Sequence, residues 1–173
     1  EEPDHCAAWG ITALAPGGVG IAPFQRRPTP ERSKQATGGL AVWEYTDLRD
    51  PRFSFEHGFV RLRQAADAHT AQKIGLTTAR WAAYWNAGHL FAKHYSTHIE
   101  PEAPSDIDQG SIIELYTDAD LLELETLGQP APLRQGEGPT STEYWHLFRR
   151  GREPVSADEL RALPRLWASK DAG

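Results

Sequence analysis

Two short segments in the second half of the chain alternate between apolar and polar residues. They cover residues 112–117 and 121–127, and the turn-forming residues 118–120 separate them. Alternation with a period of two, interrupted by such a turn, is typical of a β-hairpin in which one face is buried. We therefore predict a hairpin over these residues.

The register of this hairpin decides which side chains share a face. Suppose that Thr117 lies opposite Leu122. The leucines and the isoleucine at every second position along both strands then form one mostly apolar face. The opposite face then carries Glu114, Tyr116, Glu123 and Glu125. A shift by one residue would mix carboxylates with leucines on both faces, which a half-buried sheet disfavours. The acidic face is then either a solvated outer surface or the floor of a polar ligand cleft.

Other segments of the chain have a similar β-type texture. Residues 9–15 and 19–22 flank a Pro-Gly-Gly turn and predict a second hairpin. Further strands are expected over residues 40–45, 59–64, 73–76, 81–85, 89–95 and 140–148. This pattern predicts an all-β fold, an antiparallel β-sandwich.

The end of the chain has a different pattern. Ser156 and Glu159 have the spacing of a capping box, which predicts a short helix that runs to about residue 163. We expect one sandwich domain over residues 1–150, followed by a C-terminal extension over residues 151–173 that contains this helix.

Composition limits the classes of function. With 173 residues, 39% hydrophobic and 24% charged, the chain has the composition of a single soluble domain. Its net charge of −6 argues against nucleic acids and anionic membranes as partners, because both require a basic surface. No apolar segment approaches the length of a membrane span. The compartment stays open between the cytoplasm and a processed periplasmic or secreted location.

The histidines raise the question of a metal site. His94 and His98 would share a face if one strand continued through both, and Glu100 could add a third ligand. A His/His/Glu set with an open position would suit zinc, iron or copper. The sequence has no His-x-His pair, and its single cysteine, Cys6, excludes a cysteine-based zinc site. We predict no cofactor, with a divalent metal at the His/His/Glu set as the alternative.

Aromatic and basic residues supply the elements of a sugar-binding site. An aromatic ring can pack on the apolar face of a sugar, while charged groups bind its hydroxyls. The candidate rings are Trp43, Trp81, Trp85 and Trp145, and the candidate donors are Arg61, Arg63, Lys73 and Lys93. We expect at least one of these cations near the acidic face, because clustered carboxylates need an offsetting charge. The alternatives are that tryptophans pack in the core, and that the two arginines form structural ion pairs with the three glutamates across the sheet.

Several motifs spread over residues 9–150 carry a resemblance to a known family. They include LAVWEYTDLRDPRF at residues 40–53, GHLFAK at residues 88–93 and LELETLG at residues 122–128. A Gly-Glu pair at residues 136–137 follows, and then Glu143 with Trp145. With these motifs the chain resembles a largely uncharacterised bacterial family related to the aldose 1-epimerases, which are galactose mutarotase-like proteins.

The resemblance implies a twisted antiparallel supersandwich with a sugar-sized cleft on one sheet. It also implies a glutamate base on a late strand, and Glu125 is the matching residue. The sequence departs from many epimerases at Thr126, where those enzymes have a proline, and their acid histidines lie upstream of the matched region. A further sheet-forming region also lies upstream in the family, so the chain would be a trimmed or minimal form of the fold. Such a partial sandwich would need a partner, so we expect a homodimer.

Three functions therefore stay open. The first is an aldose 1-epimerase-like isomerase with Glu125 as its base, acting on a small-molecule or oligosaccharide ligand. The second is a non-catalytic carbohydrate-binding module that uses the same face. The third is a metal-dependent β-sandwich enzyme that uses the His/His/Glu set.

Overall fold

The computed structural model describes residues 5–24, 34–95, 107–133, 136 and 138–168. Short strands dominate these ranges, and two helical segments follow them, α1 (Ala157–Ala162) and α2 (Arg165–Ala168). The strands are β1 (His5–Cys6), β2 (Trp9–Leu14), β3 (Val19–Pro23), β4 (Leu40–Val42), β5 (Phe53–Glu56), β6 (Phe59–Arg63), β7 (Gln72–Leu76), β8 (Trp81–Asn86), β9 (His89–Tyr95), β10 (Ile113–Thr117), β11 (Leu122–Leu127), β12 (Ala131–Pro132) and β13 (Glu143–Arg149).

Two antiparallel sheets form a sandwich in the described part of the chain. One has five strands in the order β2-β11-β10-β7-β4, and we call it the five-strand sheet. The other has six strands in the order β13-β9-β8-β3-β6-β5, and we call it the six-strand sheet. The short strands β1 and β12 pair separately. The predicted all-β antiparallel sandwich with a short C-terminal helix is therefore confirmed.

The main core lies between the facing surfaces of the two sheets. Ile74, Leu115 and Leu124 of the five-strand sheet belong to the same buried cluster as Leu62 and Tyr84 of the six-strand sheet. Alternate residues of β6, β7, β8, β10 and β11 enter this cluster, because side chains alternate across a pleated sheet. Burial of these side chains supplies the main driving force for packing the sheets together.

The hairpin of β10 and β11 has the register expected from the sequence. Thr117 pairs with Leu122, and the pairing continues without interruption to Ile113 and Thr126. This register sends the apolar side chains of both strands into the core. Glu114, Tyr116, Glu123 and Glu125 consequently share the outer face of the five-strand sheet.

The second predicted hairpin is wrong, because β2 and β3 belong to different sheets. β2 pairs with β11, whereas β3 pairs with β6 and β8. The Pro-Gly-Gly turn between them carries the chain across the sandwich. Gly17 has a positive φ of 93°, and a Cβ on Gly18 would overlap the ring of Tyr84. The glycines therefore allow a close crossover, although their sequence is equally compatible with a hairpin turn.

The C-terminal extension packs on the outer face of the six-strand sheet. The predicted capping box is present, with the Ser156 hydroxyl accepting a hydrogen bond from the Glu159 backbone N–H and the Glu159 carboxylate accepting one from the Ser156 N–H. Leu160, Leu163 and Trp167 are buried in a second apolar cluster with residues of this sheet. No helix in the described ranges is long and apolar enough to span a membrane.

Leu115 provides a test of this packing, because its side chain is fully buried between the sheets. Leu115→Ala should lower the free energy of unfolding by about 2–5 kcal/mol, through lost burial and a residual cavity. The exposed Leu48 gives a matched control, and Leu48→Ala should change the same quantity by less than about 0.5 kcal/mol. Denaturant titration followed by tryptophan fluorescence measures both. Equal effects of the two substitutions would contradict the assigned core.

Candidate functional site

A buried ion cluster lies on the outer face of the five-strand sheet. Nζ of Lys73 lies 2.8 Å from Oε2 of Glu114 and 2.9 Å from Oε1 of Glu125. The register brings the three together, because Glu114 on β10 pairs directly with Glu125 on β11, and Lys73 lies on the adjoining strand β7. One cation thus offsets two carboxylates, both of which are almost completely excluded from solvent.

Aromatic side chains cover this cluster. The indole N–H of Trp9 donates a 2.9 Å hydrogen bond to Oε2 of Glu125. Nζ of Lys73 lies 4.8 Å from the ring centre of Trp43 and 5.4 Å from that of Trp9, both within the range of cation–π attraction. Trp9 and Tyr45 are themselves 59% and 46% exposed. The aromatic cover therefore presents ring surface to solvent while it shields the charges beneath it.

We call this surface the tryptophan-capped face. It consists of Trp9, Trp43, Tyr45, Lys73, Glu114, Tyr116, Glu123 and Glu125. The sequence pattern indicated the carboxylates, Tyr116 and Lys73, and it included Trp43 among the candidate rings. It did not indicate Trp9 or Tyr45, although the alternation of β2 places Trp9 on the same face as Ile11, which pairs with Glu125.

Burial dominates the electrostatics of Glu114. It raises the pKa of Glu114 from 4.5 to about 7, and the charge of Glu125 adds to the shift, while the hydrogen bond and charge of Lys73 oppose it. Oε1 of Glu114 accepts no hydrogen bond from the described residues. Burial alone would lower the pKa of Lys73, but the hydrogen bonds and charges of both glutamates outweigh it and leave that pKa raised. Lys73 therefore stays charged, and Glu114 is partly protonated near neutral pH.

Two polar side chains of this face are more accessible. Glu123 and Tyr116 are both partly exposed, and the Tyr116 hydroxyl donates a 3.3 Å hydrogen bond to Asp118. Partial burial, followed by the charge of Glu125, raises the pKa of Glu123. Both side chains therefore reach solvent on the tryptophan-capped face.

Lys93 belongs to a different cluster. It is fully buried, and its Nζ donates hydrogen bonds to Oε1 of Glu143 at 3.0 Å, to Oγ1 of Thr12 at 3.1 Å and to the carbonyl of Gly10 at 3.3 Å. Burial lowers the pKa of Lys93, and the bond to Glu143 opposes that change only in part. Lys93 consequently links the edges of the two sheets and is not a donor on the tryptophan-capped face.

Trp145 also belongs to the environment of Glu143. Its indole N–H donates a 2.8 Å hydrogen bond to Oε2 of Glu143, and the Thr126 hydroxyl donates to Oε1 of the same carboxylate. These hydrogen bonds, with that of Lys93, outweigh burial and lower the pKa of Glu143. The structure thus separates Trp145 from Glu114 and Glu125, with which the sequence analysis had grouped it.

A cleft of about 400 Å³ lies beside this second cluster. It is lined by Ala8, Trp9, Gly10, Thr126, Ser141, Glu143 and Trp145. Trp9 therefore lines this cleft and also binds Glu125. A volume of this size is in the range of small-molecule sites, which makes the cleft a second place where a ligand could contact Trp9.

Arg61 and Arg63 do not reach the tryptophan-capped face. Both lie on β6 of the six-strand sheet, and they pair with Glu153 at 3.1 Å and 2.7 Å. Their expected role as donors beside the acidic hairpin is therefore corrected. The alternative, structural ion pairs of these arginines with the three glutamates across the sheet, is wrong in the partner, because Glu153 belongs to the C-terminal extension.

The histidine set is only partly described. His98 and Glu100 lie outside the described residues. Nε2 of His94 lies 3.1 Å from Nε2 of His146, and its ring stacks on Tyr144 and Trp167. Within the described ranges, no group of three or more His, Cys, Asp or Glu residues is arranged to hold a metal ion.

The chain matches no protein-family model, no curated protein and no solved structure. The relation to the aldose 1-epimerases consequently stays a prediction that rests on the sequence motifs. The function has to be argued from the geometry of the site.

The raised pKa of Glu114 predicts a specific dependence of stability on pH. Since the folded state keeps this proton between about pH 4.5 and 7 while the unfolded chain loses it, Glu114 lowers stability as pH rises through that window. Glu114→Gln has a similar shape but cannot ionise. The free energy of unfolding of Glu114→Gln, minus that of the wild type, should therefore be roughly 1–2 kcal/mol larger at about pH 8 than at about pH 5, after allowance for solvent screening.

Denaturant titrations at the two pH values measure this difference. Glu56→Gln is the control, because Glu56 is exposed at the end of β5, far from Lys73 in the topology. The control should follow the wild type at both pH values. A Glu114→Gln variant with the same pH dependence as the wild type would contradict the assignment.

Proposed function

We propose that this protein is a carbohydrate-binding β-sandwich protein, and that a small saccharide binds to its tryptophan-capped face. The observation that carries the proposal is the exposed ring of Trp9, which binds Glu125 of the Glu114–Lys73–Glu125 ion cluster. A second exposed ring, Tyr45, lies close enough to interact electrostatically with all three charges. Saccharides present apolar C–H faces that pack on aromatic rings and hydroxyls that bind charged groups. The sequence motifs independently suggest a sugar-binding family.

Trp9 has the geometry of a preformed binding platform. Its indole N–H is fixed by Glu125, and its ring lies beside the Lys73 ammonium. A side chain that is already held in one orientation loses little conformational entropy when a ligand binds. Glu123 and Tyr116, which are partly exposed on the same face, supply oxygen atoms for sugar hydroxyls.

The burial of Glu125 favours binding over catalysis. A general base has to come within hydrogen-bond distance of the sugar hydroxyl that it deprotonates. Glu125 is 1% exposed, its Oε1 contacts Lys73, and its Oε2 accepts hydrogen bonds from Lys73 and Trp9. Its interactions in this arrangement hold Trp9 and Lys73 in place, so we assign Glu125 a positioning role in the proposed site.

One observation favours an isomerase as a second candidate. Opening of a sugar ring needs a group that removes the anomeric hydroxyl proton and a group that protonates the ring oxygen. The pKa of Glu114 is raised to about 7 by burial, so this carboxyl can release or accept a proton near neutral pH. Trp9 would have to move before a sugar could reach Glu114 or Glu125.

Three substitutions test the location of the saccharide. A glycan array identifies a ligand, and calorimetry with the monovalent form of that ligand then gives the affinity of each variant. Tyr45→Ala should weaken binding by about tenfold, because it removes a ring found on the tryptophan-capped face. Trp9→Ala should weaken it by at least as much. Trp145→Ala is the matched control, since its indole is 60% exposed, like that of Trp9, but lies beside Glu143.

Unchanged affinity of Trp145→Ala would support the assigned face. Loss of binding in Trp145→Ala, with unchanged affinity in Tyr45→Ala, would instead place the ligand in the cleft beside Glu143. Trp9→Ala does not separate these two locations, because Trp9 takes part in both.

A second measurement separates binding from isomerase activity. NMR exchange spectroscopy follows interconversion of the α and β anomers of an aldose that binds. For a binding protein, we expect the wild type and Glu125→Gln to leave the spontaneous exchange rate unchanged. Acceleration by the wild type that disappears in Glu125→Gln would support the isomerase instead, provided that the variant unfolds at a similar denaturant concentration.

A further inference from the structure

Two exposed tryptophans line the cleft beside Glu143. Trp9 and Trp145 are 59% and 60% exposed, and both contribute to the walls of this cleft. The cleft lies where edge strands of the two sheets approach each other, β2 in the five-strand sheet and β13 in the six-strand sheet. Trp9 also belongs to the tryptophan-capped face, so the cleft and that face adjoin at this ring.

Trp145 is held in the same way as Trp9, by a carboxylate that pairs with a buried lysine. Its indole N–H donates a 2.8 Å hydrogen bond to Oε2 of Glu143, while Oε1 of Glu143 lies 3.0 Å from Nζ of Lys93. The ring also packs edge-to-face with Phe91, at 5.5 Å between ring centres. Glu143 is thus engaged in positioning the ring, and the exposed ring surface is what remains for a ligand.

Small residues leave room beside the two rings. Ala8, Gly10 and Ser141 line the cleft together with them. A Cβ on Gly10 would lie 2.7 Å from Oε1 of Glu143, so a larger residue there would displace the carboxylate that holds Trp145. Ser141 is exposed, and its hydroxyl can both donate and accept hydrogen bonds. The cleft therefore combines an aromatic surface with a hydrogen-bonding group, the two features that a sugar residue needs.

We propose that the ligand is a saccharide of at least two linked sugar residues, one on the tryptophan-capped face and the next in the cleft, packed on Trp145. This inference rests on the saccharide site proposed for that face. Its support is the position of Trp9, because a chain that packs on the face can continue past the same ring into the cleft. Both rings are fixed before binding, so each sugar residue gains contact area at a small cost in conformational entropy.

The effect of Trp145 on affinity then depends on the length of the saccharide. A monosaccharide occupies the tryptophan-capped face, of which Trp145 is not a part. A second or third sugar residue reaches the cleft and adds packing on the Trp145 ring. This contact should strengthen binding about tenfold, the gain expected from one additional aromatic packing contact.

Calorimetry tests this dependence with the mono-, di- and trisaccharides that make up the highest-affinity glycan on the array. The wild type should bind the di- or trisaccharide about tenfold more tightly than the monosaccharide. Trp145→Ala should reduce this ratio of affinities to less than about twofold, because it removes the ring in the cleft. Leu147→Ala is the matched control and should keep the wild-type ratio, since Leu147 is 70% exposed on the same strand but does not line the cleft.

The indole N–H signals of the wild type report the same contact without a substitution in the cleft. In nitrogen–proton correlation NMR spectra, the Trp145 signal should shift on addition of the di- or trisaccharide but not of the monosaccharide. The Trp9 signal should shift with all three. Trp9→Phe and Trp145→Phe each lack one signal and thereby assign the two.

The outcomes distinguish this inference from the proposed function. An affinity ratio that Trp145→Ala leaves at the wild-type value, or equal affinities of the wild type for all three saccharides, would overturn the extension and leave the site on the tryptophan-capped face. If Trp145→Ala does not fold, an unshifted Trp145 signal overturns the extension in its place. If no glycan binds, or if Tyr45→Ala has no effect at any chain length, the proposed function fails and the extension fails with it.

Discussion

The contact of Lys73 with Glu114 and Glu125 is the interaction on which the outer face of the five-strand sheet depends. Two adjacent buried carboxylates repel each other strongly unless a cation offsets them, and a buried lysine is equally costly without an anion. The cluster satisfies both requirements at once. Because Trp9 also binds Glu125, the same charges fix the orientation of an exposed aromatic ring, and the electrostatic balance thereby determines the shape of the proposed binding surface.

Sequence reasoning predicted the part of this site that depends on alternation within a hairpin. A period of two, combined with the cost of burying carboxylates among leucines, leaves one favourable register for β10 and β11, and the structure has that register. The nearby cation was predictable as a class, because the three glutamates needed one. Which of four basic residues would supply it was not predictable, since that choice depends on the order of strands in the sheet.

The residues that were assigned to the wrong place share one physical cause. Alternation determines the face of a strand that a side chain occupies, but not the sheet to which the strand belongs. Arg61 and Lys93 lie on strands of the six-strand sheet, so their partners are Glu153 and Glu143. The Pro-Gly-Gly turn gave the same ambiguity, because two glycines permit a tight hairpin and a crossover between sheets equally well.

The two buried lysines show how similar chemistry can have different consequences. Lys93 lies between the sheet edges and binds one carboxylate, a hydroxyl and a backbone carbonyl, which are the interactions of a structural link. Lys73 instead lies under aromatic rings with two carboxylates, one of which keeps an oxygen without a described hydrogen-bond partner. A well-packed apolar group would often stabilise a fold as much as such a cluster. Stability alone therefore does not require Glu114, whereas the proposed saccharide site would give its buried carboxyl group and its raised pKa a use.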